Sequence, residues 1–246
     1  MLIHSLQRLA AHLGQCLLFA SLLLGAPAWA AGLQIAPVGL SLASSDQAGI
    51  FTLSNTGAAP LNAQLRIFKW TQNEQGEDVL TPSDDLIASP PMLALPVNGS
   101  QEVRIIRAGV GGEADAHCRL IVDELPTPSA TPRKGLSIAL RYSIPIFINA
   151  QDRPEVVLQW GAKTTADGKT LLSIHNPGVE RAQIARIWLQ AQGQEAKMLN
   201  YGLFGYVLPG KTIQREVNTS LTQIKAAQTT LMAVINDRES TVTLGD

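Results

Sequence analysis

The residues able to do covalent, acid–base or metal chemistry are few in this 246-residue chain, and their spacing does not assemble them. Beyond residue 30 there are two histidines, His117 and His175, each without a second ligand at the spacing a metal motif needs. His175 stands before Asn176-Pro177-Gly178 and reads as a strand residue beside a turn. The carboxylate neighbours Asp84-Asp85 and Asp123-Glu124 would point to opposite faces of a strand, so neither pair can share one site. G-x-S-x-G and G-x-x-x-x-G-K-[ST] are both missing. Asn98-Gly99-Ser100 and Asn218-Thr219-Ser220 match N-x-[ST], a pattern too common to carry weight. Of the two cysteines, Cys16 belongs to the apolar start of the chain, and Cys118 is left to read as a buried small hydrophobe. These residues predict a protein that is not an enzyme and needs neither cofactor nor metal.

The elements around them are strands. Hydrophobic residues at 46% and charged residues at 16% exclude a disordered chain. A net charge of −1 leaves no basic excess for phosphates, so no nucleic-acid partner is expected. The 20 Gly and 14 Pro favour turns and strands over helices. Residues 1–15 carry Arg8 and no acid, Cys16 to Gly25 is apolar, and Ala28-Trp29-Ala30 is a small-x-small cleavage signal. Residues 1–30 therefore read as a signal peptide. The apolar run falls short of the roughly 20 residues that span a bilayer, so no membrane insertion is expected after cleavage.

Strand-like segments follow at 48–55, 61–70, 101–107 and 118–125, separated by turn and proline signals at Asn55-Thr56-Gly57, 73–78, Ser89-Pro90-Pro91 and Pro126 to Gly135. The segment 136–148, LSIALRYSIPIFI, alternates longest: Leu136, Ile138, Leu140, Tyr142 and Ile144 would face one way, and Ser137, Ala139, Arg141, Ser143 and Pro145 the other. Pro145 cannot donate to a ladder, which puts this strand at a sheet edge by its end. An apolar edge strand is a liability that proteins suppress, unless its purpose is to pair with another chain. Residues 149–154 read as a polar hinge, after which shorter strands recur at 156–160, 171–178, 185–191, 205–211 and 229–240. The expected fold is all-β, with two immunoglobulin-like β-sandwich domains. Their bounds are 31–149, which includes the strand 136–148, and 150–246.

The order of LSNTG (53–57), IASPPMLAL (87–95), QEVRIIR (101–107), VDELP (122–126), LRYSIPIFI (140–148), LSIHNPG (172–178), YVLPGK (206–211) and AVIND (233–237) resembles the periplasmic pilus-assembly chaperones of the chaperone–usher pathway, most of all their archaic branch. The resemblance covers nearly the whole mature chain. It implies an L-shaped arrangement of the two domains, a periplasmic location, pilus or fimbrial subunits as partners, and delivery to an outer-membrane usher. It also implies donor-strand complementation: residues Leu136 to Tyr142, continuing to Phe147, would fill the groove of a subunit that lacks one strand. A self-capping dimer of the free protein is left open. The alternative is a structural pilin or surface adhesin, which should carry an alternating donor extension ahead of its sandwich; LQIAPVGLSL at 33–42 is more simply a first strand.

In the better-known branch of the family, an Arg on the first strand and a Lys late in the donor strand anchor the subunit's C-terminal carboxylate. The matching places here hold Gly39 and Pro145, and neither side chain can bind a carboxylate. Arg119 is the first candidate for that role and Arg141 the second, because a guanidinium can hold both oxygens. N-terminal sequencing of the exported protein should read Ala-Gly-Leu-Gln-Ile from Ala31; an unprocessed start recovered from the membrane fraction would contradict the signal-peptide reading.

Overall fold

The computed structural model describes residues 32–108, 116–126, 138–149 and 156–245. The expected signal peptide 1–30, most of the 126–135 loop, Leu136 and most of the expected hinge lie outside these residues.

The strands of the first half are β1 (Leu33–Ala36), β2 (Leu40–Ala43), β3 (Ala48–Asn55), β4 (Leu61–Gln72), β5 (Asp78–Pro82), β6 (Leu86–Ser89), β7 (Met92–Leu95), β8 (Ser100–Arg107), β9 (Ala116–Leu125) and β10 (Arg141–Asn149). They form one sheet of order β1-β3-β8-β6 and another of order β2-β10-β9-β4-β5, with β7 also on β4. Alternation decides what each strand buries. In β4, Ala63, Leu65 and Ile67 enter the core between the sheets, where they meet Phe51 and Leu53 of β3 and Cys118, Leu120 and Val122 of β9. The segment 33–42 is not one strand but two, β1 and β2, which belong to opposite sheets. Pro37 lies in the gap and has no N–H to continue a ladder. Pro90 and Pro91 divide β6 from β7 in the same way.

The second half adds β11 (Gln159–Thr164), β12 (Thr170–His175), β13 (Ala182–Ala191), β14 (Lys197–Asn200), β15 (Gly205–Val207), β16 (Thr212–Val217), one short helix α1 (Leu221–Ile224), β17 (Thr229–Ile235) and β18 (Arg238–Val242). The sheets β11-β12-β16 and β14-β13-β17-β18 enclose a second core that includes Leu172, Ile184, Ile187 and Ile213. No helix among the described residues is long and apolar enough to cross a membrane.

Both sandwiches lock one turn with the same device. Buried Asn55, at the end of β3, donates from Nδ2 to the carbonyls of Ala59 at 2.8 Å and Leu95 at 3.2 Å, and its Oδ1 accepts from Gly57 N at 2.9 Å. Asn176, just after β12, donates to Glu180 O at 2.8 Å and Val207 O at 3.0 Å and accepts from Gly178 N at 3.0 Å. A shared Asn-x-Gly turn therefore links two halves that show no clear sequence repeat. Asn55→Ala would strand buried backbone groups and should cost about 1–3 kcal/mol in a urea titration; an unchanged midpoint would show that the turn holds without its asparagine.

Candidate functional site

β10 is covered unevenly. From Arg141 to Ile148 it pairs antiparallel with β9, with Arg141 opposite Asp123 and Ile148 opposite Ala116. On its other side β2 pairs with it, in parallel, only from Ile146 to Asn149. Among the described residues, the first half of β10 is therefore a sheet edge and the second half is interior. Leu140 O accepts from Glu124 N at 2.9 Å, so even-numbered residues turn their backbone groups towards β9. Those of Arg141, Ser143 and Pro145 face the open side, and Pro145 offers a carbonyl there but no N–H.

The side chains divide at the same place. Ile146, Ile148 and Ile144, the last only 7% exposed, lie in the strand's own core, and Tyr142 packs partly against it. Beyond Tyr142 the own-core cover ends: Leu140 is 42% exposed and Ile138 68%. This corrects the expectation of one presented face from Leu136 to Ile144. Ile144 and much of Tyr142 are committed to the fold, because the opposite sheet reaches that far, and Leu136 lies outside the described residues. The strand itself begins at Arg141 rather than at residue 136.

At the end of the open edge Gly39 and Pro145 touch: a Cβ placed on Gly39 would come 3.3 Å from Pro145 Cγ. Apolar surface thus occupies the place of the expected charge pair. Arg119 is the Cα partner of Pro145 in the β9–β10 ladder, yet its guanidinium is already engaged. Its face lies 3.7 Å from the Trp70 ring centroid and 5.4 Å from that of Tyr206, and Nη2 reaches Asp78 Oδ2 at 3.2 Å. Burial pushes its pKa down and Asp78 pushes back. At 9% exposure, Arg119 is a packed residue in the free chain, which weighs against the ranking that put it first as a carboxylate anchor. The Arg141 side chain is 66% exposed and bonds Asp123, which also accepts from Arg66 at 2.6 Å. Burial raises the Asp123 carboxyl, but the hydrogen bonds from Arg141 and Arg66 outweigh it and hold its pKa below the usual carboxylate value.

The remaining chemistry-bearing residues stay apart. His175 Nδ1 pairs with Thr212 Oγ1 at 2.9 Å, and the His117 ring packs edge-on against Phe147. No three His, Cys, Asp or Glu residues among those described are placed to hold a metal ion.

Residues 32–155 match the family model of pili and flagellar-assembly chaperones, PapD N-terminal domain. The chain belongs to this family. Among solved structures, the CsuC–CsuE chaperone–tip adhesion subunit pre-assembly complex from archaic Csu pili of Acinetobacter baumannii contains a chain similar at 23% identity and TM-score 0.63, over 86% of this chain and 97% of that one. The CupB2 chaperone of Pseudomonas aeruginosa is similar at 18% identity and TM-score 0.57, over 86% and 100%. The Salmonella enterica SafA pilin–SafB chaperone complex gives 13% identity and TM-score 0.55, over 87% and 94%. Among curated protein sequences no match is found.

The pilus chaperone's second sandwich packs against the late half of the same strand. Phe147 of β10 joins Trp70 and Leu208 in a separate buried cluster, with Tyr206 against it. The Arg181 guanidinium lies 3.6 Å from the Phe147 ring centroid. Buried Gln72 bridges the halves by donating from Nε2 to Tyr206 O at 2.8 Å and accepting from Leu208 N at 3.1 Å. The β4–β5 hairpin, a polar tip from its sequence, lies on β16: Gly76 has φ +75°, and a Cβ there would meet Thr212 O at 2.5 Å. Sequence reasoning missed Trp70, Gln72, Gly76 and Tyr206. One signal was available, since the alternation of β4 sends Trp70 away from its own core, and so large a residue needs a second cover. Gln72→Leu should leave Tyr206 O and buried Leu208 N unpaired, costing about 1–3 kcal/mol and speeding amide exchange at Leu208; unchanged exchange there would show that Gln72 does not hold the junction.

Proposed function

We propose that this chaperone acts in the periplasm, captures pilus subunits by donor-strand complementation and delivers them to an outer-membrane usher. The observation that carries the reading is the half-open β10: an edge where, among the described residues, no strand pairs with Arg141 and Ser143 on the side away from β9, continued by exposed Leu140 and Ile138. A subunit groove that lacks one strand offers the complementary row of backbone groups and an apolar floor, the arrangement by which strand addition works. Burying Ile138 and Leu140 would contribute roughly 1.5–3 kcal/mol each before the costs of ordering and association. The process requires no cofactor, metal or chemical step.

The complexes of CsuC with a tip adhesion subunit and of SafB with a pilin support subunits as the partner class. The pilin or adhesin alternative is disfavoured, because residues 33–42 are used as β1 and β2 within the chain's own sandwich. For the subunit's carboxylate, Arg141 now ranks ahead of Arg119, although Arg141 lies four positions, or ~13 Å, before Pro145.

Ile138→Asp should abolish capture of a co-expressed subunit while the free chaperone stays folded, because a charge would be buried unpaired only in the complex. Ile144→Asp should instead unfold the first sandwich. Co-purification of subunit with Ile138→Asp at the wild-type level, or equal loss with Ala139→Asp, would overturn the assignment of the inserted face.

A further inference from the structure

Asp123 and Glu124 are adjacent on β9, so their side chains leave opposite faces of the sheet. Both nevertheless end on the first residues of β10. On the outer face, Asp123 takes Arg141 Nε on one oxygen and Arg66 Nη2 on the other, and Arg66 belongs to β4. On the core side, Glu124 Oε1 accepts from the Tyr142 hydroxyl at 3.2 Å, and Oε2 accepts from the Leu140 backbone N–H, also at 3.2 Å. Glu124 N in turn donates to Leu140 O at 2.9 Å. Two neighbouring carboxylates therefore grip three successive residues, Leu140, Arg141 and Tyr142, from both faces and along the backbone.

The grip sits where the strand changes role. Ile138 to Leu140 have no regular ladder, and from Arg141 onward the chain is held by β9. Its chemistry suits a fixed hold: Asp123 stays ionised between two guanidiniums, and the Tyr142 hydroxyl, its pKa pushed up to about 12 by burial and by Glu124, stays a donor.

We propose that Asp123 and Glu124 form a two-faced clasp that fixes where β10 leaves its own sheet, and so sets in advance which residues can be lent to a subunit. They are positioning residues: they act through Leu140, Arg141 and Tyr142. The inference rests on the donor-strand reading above. A strand that must be ordered at the moment of encounter loses conformational freedom then, whereas a clasped strand has lost it on folding, so the clasp acts on the association rate.

The test compares wild type, Glu124→Gln and the double variant Asp123→Ala/Glu124→Ala. Backbone amide exchange is measured at Leu140 and Tyr142 in the free chaperone, together with association and dissociation rates for a fimbrial subunit purified without its own N-terminal extension. Loss of charge-assisted bonds in the double variant should speed exchange about 10-fold or more, and slow association by a similar factor with dissociation little changed. Glu124→Gln keeps one acceptor oxygen and should fall between. Exchange as slow as wild type in the double variant overturns the clasp, and so does fast exchange with an unchanged association rate. If wild type captures no subunit, the donor-strand reading falls, and the exchange measurement alone still upholds or overturns the hold on residues 140–142.

Discussion

The structure turns on a single strand that must be satisfied at one end and left unsatisfied at the other. β10 buries Ile144, Ile146 and Ile148 in its own sandwich, and β2 covers its edge from Ile146 onward. Before that point the edge is bare and the apolar residues run out into solvent. An exposed apolar edge invites aggregation, and most proteins blunt it with charge or proline. Here a proline stands at the inner limit of the edge, where β2 takes over, and the outer limit is held by carboxylates. The regular edge is thereby confined to Arg141–Pro145, and exposed Leu140 and Ile138 continue it outward.

The same strand also couples the open edge to the second sandwich. Its late odd-numbered residues point away from its own core, and Phe147 enters the cluster with Trp70, Tyr206 and Leu208. Arg119, beside Pro145 in the ladder, stacks on Trp70 from the first sandwich and faces Tyr206 from the second. A guanidinium offers two flat faces and a charged rim, so it can serve two aromatic rings and Asp78 together. This is why a residue well placed in the ladder to meet a carboxylate is spent on the junction instead. Gln72 completes the contact by reproducing, with one side-chain amide, the paired donor and acceptor of a strand neighbour.

Much of this was legible in the sequence, and the reason is periodicity. The two-residue alternation of 48–55, 61–70, 101–107 and 118–125 reports a sheet with one buried face, whatever that face meets. Proline and Asn-x-Gly signals mark where ladders stop because a donor is missing or a turn is favoured. The missing N–H of Pro145 signals an edge, but the structure places that edge before Pro145 and covers the end of the strand with β2.

Tertiary structure decided everything that depends on what lies across from a residue. Alternation grouped Leu136, Ile138, Leu140, Tyr142 and Ile144 on one face but could not say where the opposing sheet ends, and that boundary separates Ile144 in the core from Ile138 in solvent. It ranked Arg119 by ladder position, whereas Trp70 and Tyr206, 49 residues before it and 87 after it in the chain, determine what its guanidinium does. It read 33–42 as one strand, because a run that crosses between sheets keeps its alternation on either side of the break. And it set Asp123 and Glu124 aside as neighbours facing opposite ways. That inference was correct, but it missed that β10, lying between the two faces, gives both carboxylates the same target. Sequence carries the local period of a chain; which side chains it brings within reach depends on contacts between distant segments, and those form only when the sheets close on each other.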